Sequence, residues 1–344
     1  MPDNLTSLQR IHAFAALGGY MRTFPADLER LVHLASRHTA WFTPPYIEQA
    51  IKALANNLHT DSLQKWLQPY QEKLDRPTNK TVGLVLAGNI PLVGFHDILA
   101  VLIGGFNVQV KLSSDDKILI PHLLDHLITL EPRFQACISY VDRLQQFDAI
   151  IATGSNNTSR YFEYYFSKVP HIIRKNRNGV AVIHGTETQE TLQQLGHDLF
   201  DYYGLGCRNV SKIYFPENYT FNAFFEGIAP FHEVINHHKY HNNYDYHKSI
   251  YLINGEQHLD NGFLLLKRDQ RIASPLAVVY YETYSDLHLL KEQLNQRHEE
   301  IQCIVSDQPL ETISPVFPLG KSQHPALDDY ADGVNTLDFL MEQK

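Results

Sequence analysis

The chain has 344 residues, of which 44% are hydrophobic, and a formal net charge of −9 at pH 7. This length predicts two domains, and the acidic balance argues against partners such as nucleic acid or an anionic membrane. Three widely spaced cysteines do not suggest a disulfide framework, which favours a cytoplasmic location. The amino terminus lacks the basic leader of a secretory signal. The apolar run ILAVLIGGF is far shorter than the roughly 20 residues of a membrane-spanning helix.

Helices are predicted for residues 1–78, where apolar residues recur at helical spacing, as in SLQRIHAFAALGGYM. Thr43 stands directly before two prolines, which is typical of a helix start. The segment DRPTNK has the composition of a linker. We therefore expect residues 1–78 to form a helical region that packs on the domain after it.

Residues 79–185 alternate short apolar runs with helical stretches. The predicted strands are TVGLVLAG, NVQVKL, ACISYV, AIIATG and VAVIHG. Such alternation predicts a mostly parallel sheet with helices on both faces. A sheet of this kind binds ligands beyond the carboxyl ends of its strands.

A second αβ domain is predicted for residues 186–320, followed by a tail at 321–344. It begins with a helix at TLQQLGHDLFDYY. Its predicted strands are KIYFPE, SIYLIN, GFLLLKRD, LAVVYYE and IQCIVS. The two domains together define an α/β fold class.

Polar residues follow the first two predicted strands. Asn89 lies in the turn after the first strand, and Lys111, Ser113 and Ser114 end the next one, where they suit a ribose or a phosphate. Each of these residues, taken alone, is better explained as a turn residue or a surface charge.

The segment ATGS joins another predicted strand to a helix. Gly154 allows close approach of a ligand, Ser155 can cap the helix, and the helix amino terminus favours an anion. An ordinary helix cap explains the same residues. No G-x-G-x-x-G fingerprint of dinucleotide binding follows any of these strands.

Cys207 lies between a glycine-rich turn and a buried strand. Gly204 and Gly206 reduce side-chain bulk around it, so that a thiolate could meet a substrate. A small buried hydrophobic residue is the competing interpretation. That second interpretation is adopted for Cys137 and Cys303, which lie in apolar strand patterns.

In this order, the motifs Asn-x-Pro, Lys-x-Ser, Thr-Gly-Ser and Gly-x-Gly-Cys resemble those of the aldehyde dehydrogenase superfamily. Over roughly residues 81–340 the chain is most similar to the acyl-CoA reductase branch, the LuxC-like fatty-acyl reductases. The resemblance implies two Rossmann-like αβ lobes with an added N-terminal helical region. The nucleotide-binding domain would be residues 79–185 and the catalytic domain residues 186–320.

The resemblance also implies roles for single residues. Cys207 is the nucleophile, and Asn89 helps the N–H of Cys207 to stabilise an oxyanion. Lys111, with Ser113 and Ser114 beside it, contacts the adenosine ribose. Gly154 and Ser155 form the turn that meets the pyrophosphate of the cofactor.

Departures from the family pattern affect the reaction. Hydrolytic members carry a glutamate that activates water before the cysteine, whereas residues 167–185 contain no carboxylate. Acyl transfer to and from a thiol is therefore favoured over acid production. His171, in this segment, is a candidate proton-transfer partner for the thiol or a structural histidine.

Further departures concern the cofactor. Members that prefer NAD often carry a glutamate where this chain has Ser114, and a serine can hydrogen-bond a 2′-phosphate that a carboxylate would repel. NADPH is therefore expected in preference to NADH, although Asp115 and Asp116 oppose it. Arg271 replaces the carboxylate of the family's nicotinamide motif, so no residue is assigned to the nicotinamide ribose.

A histidine-rich segment covers residues 232–247. His237 and His241 have the spacing of a metal pair on a helix, but no HExxH motif is present. No metal site is expected; the segment is interpreted as a solvated, irregular stretch or as the lining of a channel for the tail of a substrate.

The expected reaction is NADPH-dependent reduction of a long-chain acyl-CoA thioester to the fatty aldehyde through an acyl-enzyme on Cys207. Acyl-phosphate reduction and aldehyde oxidation remain open within the superfamily. A hydrolase or acyltransferase that uses Cys207 and His171 without nicotinamide is a further alternative, as is a non-catalytic binding protein. The family's habit of oligomerisation also allows a homodimer.

Overall fold

The computed structural model describes residues 5–344, except for the side chain of Asn156, and divides the chain into two units. Unit 1 ends at Lys175 and includes the carboxy-terminal segment Ala326–Lys344, whereas unit 2 runs from Asn176 to Pro325. Each unit contains a largely parallel sheet flanked by helices, which confirms the α/β prediction. No helix within residues 5–344 has the length and apolarity needed to cross a membrane.

Unit 1 contains α1–α8, α13 and β1–β5. The helices are α1 (Ser7–Thr23), α2 (Ala26–His38), α3 (Pro44–Asn57), α4 (Thr60–Leu67), α5 (Gln71–Leu74), α6 (Phe95–Ile103), α7 (Leu119–Leu130), α8 (Asn156–Phe166) and α13 (Thr336–Glu342). The strands are β1 (Thr81–Val85), β2 (Asn107–Lys111), β3 (Ile138–Tyr140), β4 (Ala149–Thr153) and β5 (His171–Arg174).

The sheet of unit 1 has the strand order β3-β2-β1-β4-β5, and every pair is parallel. The chain starts in the middle of the sheet, builds outward through β2 and β3, and then returns to the other side of β1. This reversal places the loops after β1 and β4 on either side of a crevice, where open parallel sheets bind ligands. Strand β5 lies in a segment for which the sequence predicted none.

The connection from β3 to β4 contains no helix, although it crosses from the edge of the sheet to its centre. It packs directly on the sheet because Gly83 of β1 has no side chain. A Cβ atom there would lie 3.2 Å from Leu144 and 3.5 Å from Phe147. One face of the sheet is therefore covered by a short loop and by α8.

The N-terminal helices join unit 1 through a buried arginine. Arg10 of α1 donates to the carbonyl oxygens of Ile103 and Leu74, both at 2.8 Å, and to that of Leu5. These bonds satisfy carbonyl groups at the carboxyl ends of α6 and α5, which have no partner within their own helices. The helical region therefore shares a core with the first sheet.

The carboxy-terminal residues also return to unit 1, instead of forming the separate tail predicted for 321–344. Arg174 forms a buried ion pair with Asp97 at 2.6 Å, and its other terminal nitrogen donates to Thr336 of α13 at 3.0 Å. The last helix is thereby tied to α6 and to the end of β5.

Unit 2 contains β6–β12 and α9–α12. The strands are β6 (Asn178–Val182), β7 (Val210–Pro216), β8 (Leu259–Asp260), β9 (Leu265–Arg268), β10 (Val278–Tyr284), β11 (Ile301–Val305) and β12 (Val316–Phe317). The helices are α9 (Gln189–Phe200), α10 (Phe221–Ile228), α11 (His238–Ile253) and α12 (Leu287–Gln296).

The sheet of unit 2 has the order β12-β11-β6-β7-β10-β9-β8, in which only the pair β8–β9 is antiparallel within the described residues. Strand β6 pairs with β11 and β7. The domain boundary predicted at residue 185 is therefore wrong, because VAVIHG belongs to the second sheet and the units divide before it.

The strand predicted at SIYLIN is also wrong, because these residues end α11. The helix buries Tyr240, Tyr244 and Tyr251, whose spacing repeats on one helical face. Burial of three large aromatic side chains on that face outweighs the strand propensity of the short apolar run.

Candidate functional site

The loops after β1 and β2 are in close contact at the carboxyl edge of the first sheet. Val85 and Lys111, the last residues of these strands, are paired. A Cβ atom on Gly88 would lie 2.2 Å from the Oγ of Ser113, so only glycine fits this position. Asn89 follows Gly88 with an exposed side chain, which places the predicted oxyanion residue at the edge expected from the sequence.

The loop after β2 is held by the N-terminal helical region. The ring of His38 lies 3.0 Å from the carbonyl oxygen of Ser114, and the hydroxyl of Thr39 donates to the carbonyl oxygen of Asp115 at 2.9 Å. Ser113 accepts a hydrogen bond from the N–H of Asp115 at 3.3 Å. Lys111, at the end of β2, remains exposed.

Asp116 links the loop after β2 to the loop after β1. Its side chain is 1% exposed and accepts a hydrogen bond from the N–H of Leu92 at 2.8 Å. Burial raises the pKa of this carboxyl to about 6. The Asp116 carboxylate therefore points into the protein, where it supports the loop that carries Asn89.

The loop after β4 begins α8. Ser155 caps this helix by accepting a hydrogen bond from the N–H of Thr158 at 3.3 Å. A Cβ atom on Gly154 would lie 3.0 Å from Phe162 and 3.1 Å from Thr158, so the backbone packs tightly against the helix. Gly154 and Ser155 thus lie at the helix amino terminus, which carries partial positive charge.

A groove of about 490 Å³ lies between α8 and the β3–β4 connection. Its lining is aromatic and aliphatic apart from two cations, Lys111 and Arg143, and includes Val85, Leu144, Phe147, Tyr161, Phe162, Tyr165 and Phe166. No carboxylate within residues 5–344 is paired with either cation. The groove therefore offers apolar walls for a flat ring and positive charge for an anion.

Arg143 was missed by sequence reasoning. It belongs to a loop that follows a short predicted strand, and nothing in VDRLQQFD distinguishes it from a surface arginine. Its relevance depends on the missing helix between β3 and β4, which lets this loop lie against the sheet.

In unit 2, Cys207 occupies the second position of a tight turn before β7. The N–H of Asn209 donates to the carbonyl oxygen of Gly206 at 3.0 Å, which closes the turn around Cys207 and Arg208. Cys207 is partly exposed, whereas Cys303 of β11 is fully buried. Cys137, the third cysteine, is also partly exposed, and burial raises the pKa of its thiol.

The turn packs against two neighbouring strands. A Cβ atom on Gly179 of β6 would lie 2.6 Å from the carbonyl oxygen of Arg208 and 2.8 Å from that of Asn209. The thiol of Cys303 lies 3.8 Å from the same Arg208 oxygen. Backbone atoms fill this space, so the turn has little room to shift.

The residues before the turn have a strained backbone. Tyr202, Tyr203 and Gly204 are all left-handed, with φ of 54°, 59° and 77°. Left-handed helical geometry costs about 1–2 kcal/mol for each residue other than glycine. Strain of this kind persists only where surrounding contacts enforce it, and it clusters at functional sites.

Three solved structures resemble the chain as a whole. Aldehyde dehydrogenase 21 from Physcomitrella patens, in complex with the reaction product succinate, matches with a TM-score of 0.72 and 13% identity over 99% of this chain and 85% of that one. An NAD-dependent benzaldehyde dehydrogenase from Corynebacterium glutamicum gives 0.66 and 12%, over 88% and 76%. A Mycobacterium tuberculosis aldehyde dehydrogenase complexed with NAD+ gives 0.63 and 12%, over 88% and 73%.

The chain has the aldehyde dehydrogenase fold. No family model matches its sequence, and no curated protein does. At identities of 12–13%, the likeness establishes the fold and leaves the activity to be argued from the residues.

Within this aldehyde dehydrogenase fold, His171 is not brought together with the other predicted residues of unit 1. It is the first residue of β5, at the amino edge of the sheet, whereas Asn89, Ser113 and Gly154 lie at the carboxyl edge. Its ring is exposed, and its Nδ1 lies 2.9 Å from the carbonyl oxygen of Val169. Its proposed role beside the thiol stays a prediction.

The carboxylate nearest in sequence after residues 167–185 is Glu187, which is occupied by its own loop. It accepts hydrogen bonds from the N–H groups of His184 at 2.6 Å and Gly185 at 2.9 Å. This loop follows β6, at the edge of the second sheet opposite to Cys207, which precedes β7. Glu187 is therefore poorly placed within unit 2 to activate water beside the cysteine.

Arg271, which replaces a carboxylate in the nicotinamide motif, is bound to Asp269. The two side chains are joined by hydrogen bonds of 2.9 Å and 2.5 Å, which hold the pKa of Asp269 at about 2. Arg271 also lies over the ring of Tyr280 at 4.9 Å. These contacts assign it a structural role.

The histidine-rich segment is more regular than predicted, since residues Ala229–Asn236 form a 3-10 helix that leads into α11. His237 caps α11 and its ring centroid lies 4.2 Å from that of Tyr203, while His241 pairs with Asp245 at 3.2 Å. Among the described residues, no group of three side chains is arranged to hold a metal ion.

Proposed function

We propose that the chain reduces an acyl-CoA thioester to the aldehyde with NADPH, through an acyl group carried on Cys207. The observation that carries the proposal is the setting of Cys207, a partly exposed cysteine on a tight turn within an aldehyde dehydrogenase fold. A thiolate held on a rigid element is a suitable nucleophile.

In the first step, the thiolate of Cys207 attacks the carbonyl carbon of the thioester. A new carbon–sulfur bond forms, the bond to coenzyme A breaks, and the coenzyme leaves as its thiol after taking up a proton. By the family resemblance, the N–H of Cys207 is the expected donor to the developing oxyanion, and each good donor of this kind contributes about 3 kcal/mol. The family resemblance predicts that the side-chain amide of Asn89 is a second donor to this oxyanion.

NADPH, when bound, supplies the hydride that reduces the enzyme-bound thioester. The chemistry of unit 1 suits this cofactor: the groove beside α8 would hold the adenosine against its apolar walls, and the amino terminus of α8 at Gly154 and Ser155 would hold the pyrophosphate. The carbon–sulfur bond to Cys207 then breaks, which releases the aldehyde and regenerates the thiolate that began the cycle.

The preference for NADPH over NADH is supported by charge in the groove. Lys111 and Arg143 both line it, and Ser114 lies in the loop that follows Lys111. Asp116, which opposed this preference in the sequence, is turned inward to the N–H of Leu92. Asp115 is exposed in the same loop and still opposes the preference, but the two cations of the groove outnumber it and favour an additional phosphate on the ribose.

Thioester reduction is proposed over hydrolysis because neither residues 167–185 nor Glu187 supplies a carboxylate that is well placed to activate water beside Cys207. Residues 167–185 contain no carboxylate, and Glu187 is held by its own loop. An acyl-enzyme without an activated water persists long enough to be reduced or passed back to a thiol. That the chain belongs to the acyl-CoA reductase branch, and that its substrate has a long acyl chain, are proposed from the family resemblance alone.

A second candidate is oxidation of an aldehyde with NADP+. It is favoured by the named activity of the matching structures, which are aldehyde dehydrogenases. It uses the same thiol and the same cofactor lobe in the opposite direction, but requires water or another acceptor for the acyl group. Acyl-phosphate reduction differs from the main proposal only in the leaving group.

Single-turnover reactions test the proposal. Wild-type protein is mixed with NADPH or NADH and with a long-chain acyl-CoA, an acyl phosphate, or an aldehyde plus NADP+. We expect NADPH oxidation that depends on acyl-CoA, its loss in Cys207→Ala, and its retention in Cys137→Ala. Retention of activity in Cys207→Ala would refute the mechanism, and activity only with aldehyde plus NADP+ would select the second candidate. A homodimer and a cytoplasmic location stay predictions.

A further inference from the structure

Asn209 is a buried polar side chain that the reaction proposed above does not use. It is 2% exposed and follows Cys207 by two residues. Its Oδ1 accepts a hydrogen bond from the N–H of Gly206 at 2.8 Å, and its Nδ2 donates to the carbonyl oxygens of Asp198 and Asp201, each at 3.0 Å. Both ends of the amide are therefore used.

These bonds close the Cys207 turn a second time. The backbone of Asn209 donates to the carbonyl oxygen of Gly206, while its side chain accepts from the N–H of the same glycine. Cys207 and Arg208 are thus enclosed by a reciprocal pair of bonds. A turn closed on both sides has fewer backbone states than a turn closed once, so the direction of the Cys207 side chain is better defined.

The other end of the Asn209 side chain ties this turn to α9. Asp198 lies in the last turn of the helix and Asp201 directly after it, where backbone carbonyl groups lack partners within the helix. The left-handed residues Tyr202 and Tyr203 follow at once. Asn209 therefore connects the end of α9, which precedes the strained tyrosines, to the Cys207 turn, which follows them.

Asp198 extends the support into a distant loop. Its carboxylate is fully buried and accepts hydrogen bonds from the N–H of Gly320 at 2.6 Å, the N–H of Ser322 at 3.0 Å and the hydroxyl of Ser322 at 2.7 Å. The residue to which Asn209 is bonded is thus fixed by a loop more than a hundred positions later in the chain.

We propose that Asn209 is a positioning residue for the nucleophile: through Gly206 and the end of α9 it fixes the Cys207 turn in the geometry required for attack on a carbonyl. The inference rests on the proposed function because it takes Cys207 as the nucleophile. Asn209 acts on the turn and does not touch the substrate.

Two substitutions separate the three hydrogen bonds. Asn209→Asp keeps the shape and the bond from Gly206, but sets a carboxylate oxygen against the carbonyl oxygens of Asp198 and Asp201. Asn209→Ala removes all three bonds. Asn209→Ser, which keeps an acceptor near Gly206, is the third variant for use if either of the others fails to fold.

Asn261→Ala is the matched control. Asn261 is a turn residue of unit 2 whose Oδ1 accepts hydrogen bonds from Phe263 at 3.2 Å and Leu264 at 2.8 Å. Its replacement removes side-chain-to-backbone bonds from the same unit without altering the Cys207 turn.

Two rates, the steady-state kcat and KM for acyl-CoA, and the stability to urea are measured for each variant. The rates are acylation of Cys207 by acyl-CoA and alkylation of Cys207 by iodoacetamide, in which the thiolate displaces iodide from a methylene carbon and no oxyanion develops. The stability is the midpoint of unfolding in urea. A displacement of about 1 Å can reduce the rate of an oriented reaction about a hundredfold.

We expect Asn209→Asp and Asn209→Ala to slow acylation about 10- to 100-fold, to slow alkylation by a much smaller factor, and to lower kcat with little change in KM. Asn261→Ala should lose stability and keep both rates. The inference is overturned if folded Asn209 variants acylate like the wild type, or if acylation falls only as far as in Asn261→Ala. If wild-type Cys207 is alkylated but never acylated, it is the proposed function that fails.

Discussion

The carboxyl edge of the first sheet and the Cys207 turn of the second are built in different ways. The edge consists of three loops that are set by the ends of neighbouring strands and by one buried carboxylate, Asp116. The turn is backed by Gly179, flanked by left-handed tyrosines and held by a buried amide. The proposed cofactor surface is set by strand ends, whereas the proposed nucleophile is held by contacts that restrict its backbone conformation.

The largest effect is expected from Gly179→Ala in the Cys207 turn. The added methyl group would meet the carbonyl oxygens of Arg208 and Asn209, and backbone atoms cannot move aside as a flexible side chain can. Unit 2 should lose about 3 kcal/mol of stability, measured by urea unfolding. Acylation of Cys207 should be lost as well.

Gly19→Ala is the control for that substitution. Gly19 lies within α1 and a Cβ atom there meets nothing within 4 Å, so alanine should raise stability by about 0.5–1 kcal/mol. Equal stability of wild type and Gly179→Ala would show that the turn is not confined as described.

The two buried carboxyls, Asp198 in unit 2 and Asp116 in unit 1, predict a pH dependence. Burial raises the pKa of each from 3.8 to about 6. The folded state therefore binds protons more tightly than the unfolded state, so the contribution to stability is fully present below pH 4 and is lost as the pH rises through 6. The shift corresponds to at most about 3 kcal/mol for each group.

Asp198→Asn should flatten this dependence for unit 2, and Asp116→Asn should flatten it for unit 1. Urea unfolding between pH 4 and pH 7.5 provides the measurement. An unchanged slope in either variant would mean that its carboxyl is already ionised in the folded protein at pH 4.

Gly88→Ala tests whether the edge of unit 1 can change without the turn of unit 2. The new methyl group would collide with the side chain of Ser113, so the affinity for NADPH should fall about tenfold, equivalent to about 1.4 kcal/mol. Acylation of Cys207 in the absence of NADPH should remain. Because Ser113 is itself a predicted cofactor residue, the double variant Gly88→Ala/Ser113→Gly is compared with Ser113→Gly alone. The two should bind NADPH equally, and a further loss in the double variant would exclude this collision as the cause.

The smallest effect is expected from Arg143→Gln. Loss of one groove cation should weaken NADPH binding about fivefold and leave NADH binding nearly unchanged, because exposed charge pairs contribute about 1 kcal/mol or less. Fluorescence titration compares the two cofactors, with Lys168→Gln as a control at the exposed end of α8. An equal loss for both cofactors would assign Arg143 to a part of the nucleotide that they share.

The residues at the carboxyl edge of the first sheet could be predicted from the sequence because their positions depend only on the order of strands and helices along the chain. Strand ends in a parallel sheet carry the residues that follow them in the chain, so Asn89, Lys111 and Gly154 could be placed from the alternation of strands and helices. Strand β5 was missed because HIIR is short, and SIYLIN was misassigned because its burial is decided by tyrosines earlier in the helix.

The support of the Cys207 turn could not be predicted in the same way. Asn209 bonds to carbonyl groups at the end of a helix whose exact end was unknown, and Asp198 bonds to residues near position 320. The fit at Gly179 depends on which strands are neighbours in the second sheet. These are tertiary contacts, and residue type alone does not indicate them.

The central claim is that Cys207 carries the acyl group, and mass spectrometry tests it most directly. The protein is incubated with a long-chain acyl-CoA without NADPH and digested, and the peptides that contain Cys137, Cys207 and Cys303 are compared. We expect the mass of one acyl group on the Cys207 peptide alone, and its loss when NADPH is added. Acylation of another cysteine, or none at Cys207 while acyl-CoA is being reduced, would contradict the account.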